Sequence, residues 1–90
     1  MDKSGDERLY LVWLEDAEGA VPEPGETDDP GLMPLAKGLF LVRTNQTRSE
    51  LYHAVKRRTK PEKLLVAPLA DAPKFKGLAD GALKWVRSHT

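Results

Sequence analysis

Clusters of basic residues in the second half of the chain are the clearest candidates for a binding site. They fall in three stretches, 43–48, 53–63 and 74–76, where they alternate with polar and aromatic residues. Such clusters can bind phosphates, because neutralising several phosphates releases counterions and lends an affinity that falls with salt. The candidate nucleic-acid-binding residues are Arg43, Arg48, His53, Lys56, Arg57, Arg58, Lys74 and Lys76. The alternative is a solvated helix face with ordinary loop lysines, which needs no ligand.

Catalytic and cofactor-binding patterns are the second kind of chemistry to consider. His53 and His89 are the only histidines, and no hydrolase motif or glycine-rich phosphate loop occurs. Asp16, which follows Glu15 at the end of an apolar run, is the one carboxylate with a conceivable metal-binding role. Magnesium usually requires further carboxylates or phosphate oxygens nearby. We therefore expect no catalytic residue, no cofactor and no metal, and a remnant of a metal-dependent nuclease is the less favoured interpretation.

Charge is distributed unevenly along the chain although its net charge is zero. Residues 1–36 hold ten acidic and two basic residues, whereas residues 37–90 hold twelve basic and four acidic ones. Two explanations stay open at this point: the halves neutralise each other across the fold, or the basic half meets an anionic partner.

Length and composition indicate one small globular domain, residues 1–90. Ninety residues leave room for a single core, and 40% apolar with 31% charged residues is ordinary for a folded chain. The chain has no cysteine, so the disulfides that stabilise many small secreted domains cannot form, which favours a cytoplasmic location. The longest apolar run, residues 9–14, is too short to span a bilayer, so we expect no membrane segment.

The elements that would position the basic residues are three strands and two helices. Residues 9–14, 39–42 and 63–69 are apolar and are predicted as strands, with the last at a sheet edge because Pro68 cannot donate to a ladder. Residues 1–8 are predicted as a flexible N-terminus. Residues 17–37 carry four prolines and are predicted as a long acidic loop, whose apolar end could pack down as a lid.

The helix between the second and third strands is the most clearly marked element. Thr47 and Glu50 fit a capping box, and the helix is predicted over residues 48–58. A stripe of Leu51, Ala54 and Val55 would face the core, with Arg58 beside it, and Ser49, His53, Lys56 and Arg57 would point outward. Its basic end also suits the negative end of the helix dipole, so the cations have a stabilising role without any ligand. A second helix is predicted from about residue 80, with Ala82, Trp85 and Val86 on one face.

The second half of the chain resembles a known family. Residues 38–44, the capped helix, residues 63–69 and a closing segment with Phe75, Trp85 and His89 resemble the SinR-like proteins. These are small bacterial proteins with a ferredoxin-like fold similar to the CRISPR-adaptation nuclease fold, and most have no established activity. The resemblance covers residues 38–89. The family has a helix after its first strand, where this chain has the proline-rich loop. In the nuclease relatives an aspartate that can hold a metal closes the first strand, and Asp16 lies at the similar position.

Together these features predict an α+β protein. We expect a small ferredoxin-like-derived sheet of three strands, or four, with two helices and a long Pro-rich acidic loop. The function expected is that of a non-enzymatic accessory or regulatory factor associated with nucleic acid or a nucleoprotein. The alternative is a protein-interaction module that docks through its acidic loop. We also expect a homodimer, because two helices on one face of the sheet would leave the apolar side chains of the other face in water.

Overall fold

The computed structural model describes residues 7–22 and 30–88. Within them the chain forms four strands and two helices: β1 (Arg8–Glu15), β2 (Leu32–Ala36), β3 (Leu39–Thr44), α1 (Arg48–Thr59), β4 (Lys63–Pro68) and α2 (Ala82–Ser88). The protein is therefore α+β, as the sequence predicts. The expected N-terminal flexibility and most of the acidic part of the predicted loop fall on residues 1–6 and 23–29, which lie outside the described residues.

The four strands form one antiparallel sheet in the order β2-β3-β1-β4. β1 is central and pairs with β3 on one side and with β4 on the other, so that Val12 lies opposite both Phe40 and Val66. Because β3 and β4 are both antiparallel to β1, they run in the same direction, and α1 carries the chain from one to the other across β1. This arrangement is compatible with a small ferredoxin-like-derived fold, and the predicted edge position of β4 is confirmed.

The loop predicted over residues 17–37 ends earlier than expected. Its apolar end, residues 32–36, forms the strand β2 instead of a lid. Pro34 lies within this strand although proline removes a ladder donor. The structure places β2 at the sheet edge with a register irregularity between Pro34 and Ala36, where a missing donor is tolerated. Met33, Pro34 and Leu35 are all buried.

One face of the sheet is covered by α1. Successive side chains of a strand point to opposite faces, and the even-numbered residues of β1 pack on this side. The cluster of buried residues on this face is Tyr10, Val12, Leu14, Phe40 and Leu51, with Val55, Leu64 and Val66 packed against it. Tyr10 also donates its hydroxyl to the Gln46 carbonyl at 3.0 Å, which ties β1 to the turn before α1.

The other face is covered on its β2 side by the C-terminal segment, residues 69–88, which includes α2. Its cluster contains Leu9, Met33, Leu35 and Leu41 from the strands and Ala82 and Val86 from α2. The Trp85 indole N–H donates to the Pro30 carbonyl at 2.9 Å, which attaches α2 to the chain before β2. The two helices thus lie on opposite faces. The expectation of a homodimer assumed both helices on one face; instead the C-terminal segment packs against the β2 side of the second face, while Leu65 on the β4 side of that face is 49% exposed.

A bilayer-crossing helix is absent from the described residues, where neither helix has the length and apolarity that a span requires.

Candidate nucleic-acid interface

α1 is held in place by its caps as well as by its core stripe. Thr47 Oγ1 accepts the Glu50 amide at 3.1 Å, and the Thr47 amide donates to the Glu50 carboxylate at 2.8 Å, so the predicted capping box is present. Lys60 ends the helix in the left-handed conformation with φ 48°. Leu51 is buried and Val55 half-buried. These contacts fix which side of α1 faces the sheet and therefore which side faces solvent.

The solvent side of α1 carries exposed cations. His53, Lys56 and Arg57 are exposed, as helical spacing predicts, and Arg48 in the first turn is exposed as well. The helix contains a single acid, Glu50, whose carboxylate accepts the Thr47 amide. Within the described residues, none of these cations makes an ion pair; the pair found there joins Lys63 to Glu15 at 3.6 Å, at the far end of β1. The charge of this face is therefore not cancelled within the described part of the fold.

An aromatic ring adjoins this basic face. The Tyr52 and His53 rings meet edge to face, with centroids 5.2 Å apart and an interplanar angle of 81°. Lys56 Nζ lies 5.9 Å from the centroid of the Tyr52 ring. Sequence analysis did not single out Tyr52. The available signal was its spacing, because Tyr52 lies four residues after Arg48 and four before Lys56.

The other predicted binding residues are not gathered on this face. Arg58 is exposed but lines a groove between α1 and the sheet. Arg43 pairs with Leu9 across β1 and β3, and strand alternation places both on the α2 side. Lys74 and Lys76 belong to the C-terminal segment, beyond the opposite face of the sheet. Of the predicted residues, α1 thus presents His53, Lys56 and Arg57 on its solvent side, and Arg48 is exposed in its first turn.

Arg43 is unusual among these cations. Its side chain is half-buried, and its Nε has no hydrogen-bond partner although the atom is buried. A buried donor without an acceptor costs free energy. The backbone amide of Arg43 donates to the Gly31 carbonyl at 2.7 Å, which secures the chain next to β2. Arg43 is therefore less exposed than the cations of α1, and its role in binding stays a prediction.

A groove with a volume of about 620 Å³ runs between α1 and the β3 side of the sheet. Its walls include Phe40 and Val42 from the sheet, Leu51 and Val55 from α1, and residues 20–22 from the segment after β1. The volume is in the range of small-molecule sites. Nothing in the described residues indicates which ligand would fill it.

The carboxylates after β1 do not form a metal centre with other residues. Asp16 is exposed and adopts a left-handed conformation with φ 57°, as the chain turns away from the sheet. Glu15 pairs with Lys63. In residues 7–22 and 30–88, no group of three or more histidine, cysteine, aspartate or glutamate side chains is placed to hold a metal ion.

Comparison with known proteins found no match among protein-family models, curated proteins or solved structures. The likeness to SinR-like proteins therefore stays an expectation from the sequence.

Proposed function

We propose that this protein is a non-enzymatic accessory factor that binds nucleic acid, alone or within a nucleoprotein, through the solvent side of α1. The observation that supports the proposal is the exposure of Lys56 and Arg57 on the solvent side of α1, with Arg48 also exposed in the first turn and Glu50 as the single acid of the helix. A rigid helix that presents several cations to solvent can contact several phosphates at once, and each phosphate neutralised adds affinity through counterion release.

The helix dipole also favours Lys56 and Arg57 near the C-terminal end of α1, so a purely structural role must be separated from binding. The dipole effect is local and concerns stability. Phosphate binding instead gives an affinity that depends steeply on salt. A structural role would therefore appear as a change in thermal stability, and phosphate binding as a change in the salt dependence of affinity.

The test is a salt titration of binding to labelled oligonucleotides by the wild type and by Lys56→Glu/Arg57→Glu. We expect the double variant to bind much more weakly at about 50 mM salt, and to show a shallower dependence of log affinity on log salt. Thermal unfolding should show a loss of only about 1 kcal/mol, because two anions would face the negative end of the dipole while the core stripe is unchanged.

Lys74→Glu/Lys76→Glu is the matched control. It makes the same charge change on the segment that covers the other sheet face. We expect it to reduce binding far less. An equal loss in both variants would show that net charge, and not the α1 surface, controls binding. If the wild type binds no nucleic acid at about 50 mM salt, where electrostatic contacts are strongest, the proposal is wrong.

A nuclease activity is not part of the proposal. Asp16 is exposed and stands in a turn, without a described group of further ligands. We expect no cleavage of RNA or DNA with magnesium or manganese present. Cleavage that Asp16→Asn abolishes, in a preparation free of contaminating nuclease, would contradict this expectation.

Self-association and a cytoplasmic location stay predictions. The C-terminal segment leaves the β4 side of the second sheet face open, where Leu65 lies opposite the half-buried Trp13 and is 49% exposed, so a dimer would use this area. Sedimentation equilibrium is the direct measurement. A 10.0 kDa species at high protein concentration would rule the dimer out.

A further inference from the structure

Three side chains form a row along one flank of α1. Arg48, Tyr52 and Lys56 are spaced four residues apart, so they follow one another along the same side of the helix. At a rise of 1.5 Å per residue, each step along the row is about 6 Å. The row therefore places an aromatic ring between two cations.

Tyr52 does not belong to the hydrophobic core. The residues packed into the two clusters of the described chain include Tyr10, but Tyr52 belongs to neither cluster. Its side chain is half-buried, and its ring contacts the His53 imidazole and the Lys56 ammonium. An aromatic ring in polar and cationic surroundings at a surface is available to a ligand in a way that a core ring is not.

Single-stranded nucleic acid has the chemistry that matches this row. Proteins that bind single strands combine cations that follow the phosphates with aromatic rings on which unpaired bases stack. In a duplex the faces of the bases are already stacked on each other, so Tyr52 would have no base to contact.

We propose that the flank formed by Arg48, Tyr52 and Lys56 binds single-stranded nucleic acid, with one base stacked on Tyr52 and the adjacent phosphates at Arg48 and Lys56. His53, in edge-to-face contact with Tyr52, steadies the ring. The inference rests on the proposed function and deepens it, because it names the class of nucleic acid and the residue that would distinguish single strands from duplex.

The experiment compares Tyr52→Leu and Tyr52→Phe with the wild type, using a labelled single strand of about 12 nucleotides and the corresponding duplex. Loss of one stacked base should weaken single-strand binding by Tyr52→Leu about 5-fold to 100-fold. Duplex binding and the salt slope should stay unchanged, because no charge is removed. Tyr52→Phe keeps an aromatic face and should bind close to wild type.

Phe75→Leu is the matched control, since Phe75 is a half-buried aromatic residue in the C-terminal segment between Lys74 and Lys76. It should leave both affinities unchanged. Circular dichroism and thermal unfolding establish that each variant is folded. Should Tyr52→Leu fail to fold, the Tyr52 ring protons of the wild type provide the readout, and they should shift upfield when the single strand is added.

The outcomes distinguish this inference from the proposed function. If Tyr52→Leu binds single strands as the wild type does, or if the Tyr52 ring protons do not shift, the stacking proposal is wrong and charge-based binding by α1 stands. Tighter binding of duplex than of single strands by the wild type would likewise overturn the inference alone. If the wild type binds neither form, the proposed function fails as well.

Discussion

The two helices pack on opposite faces of one sheet, but they are stabilised in different ways. α1 has 12 residues, a capping box and cations in its last turn, so much of what favours it is local. α2 has only seven residues, and a helix that short is not stable by itself in water. It depends on the burial of Ala82 and Val86 and on the contact of Trp85 with Pro30. A helix favoured by local signals can devote its solvent side to binding, and α1 is the helix with the basic surface.

Truncation of the buried anchor of each helix gives the largest expected effects. Leu51 is the buried apolar residue of α1 and is 4% exposed, while Val86 of α2 is 3% exposed. Leu51→Ala should lower the free energy of unfolding by about 2 to 5 kcal/mol, and Val86→Ala by about 1.5 to 2.5 kcal/mol, because fewer methyl groups are lost. Urea denaturation monitored by circular dichroism measures both. A larger loss for Val86→Ala would mean that the C-terminal segment contributes more to the core than α1 does.

Alanine substitutions at two glycines compare how tightly the chain packs in the sheet and in the C-terminal segment. Gly38, in the turn between β2 and β3, and Gly77 both have positive φ, 75° and 80°. An alanine costs about 1 to 2 kcal/mol in this conformation. At Gly38 the new Cβ would also collide with the Leu14 carbonyl oxygen, whereas nothing lies within 4 Å at Gly77. Gly38→Ala should therefore be more destabilising than Gly77→Ala by at least about 1 kcal/mol. Equal thermal shifts for the two variants would contradict the close approach at Gly38.

The N-cap of α1 tests its local stabilisation. Thr47→Ala removes the acceptor for the Glu50 amide and should cost about 1 kcal/mol. Thr47→Ser retains the hydroxyl and is the control. Amide hydrogen exchange should increase most in the first turn of α1 and little in α2. Uniform acceleration in both helices would show that the cap supports the whole fold and not one helix.

The Trp85 indole tests the attachment of α2. Trp85→Phe removes the donor to the Pro30 carbonyl and should cost roughly 0.5 to 1.5 kcal/mol for the lost hydrogen bond. Hydrogen exchange should then increase in α2 before it does in α1. Unchanged exchange in α2 would show that Ala82 and Val86 suffice to hold the helix.

Much of the fold could be predicted because its signals are local. The apolar runs of β1, β3 and β4 and the capping box of α1 each identify an element within a few residues. β2 could not be identified in the same way, because Pro34 is unfavourable in a strand unless the strand lies at an edge. The edge position depends on how the strands pair, so it cannot be predicted from the residues of β2 alone.

The candidate site was predicted in part for the same reason. Helical spacing correctly placed His53, Lys56 and Arg57 on the outer side of α1, since they share one element. It could not place Lys74 and Lys76, which the C-terminal segment carries to the other side of the sheet. It also did not distinguish Tyr10, which is in the core, from Tyr52, which is not.

The α+β class, the position of α1 and the concentration of cations in the second half of the chain follow from the order of residues alone, because propensity, capping and charge act between near neighbours. Only the tertiary structure decided that the helices cover opposite faces. The sheet is apolar on both sides, and burial favours any cover equally, whether it comes from the chain or from a second copy. The choice depends on where residues 69–88 can reach once the strands are paired, and the chain places α2 against β2.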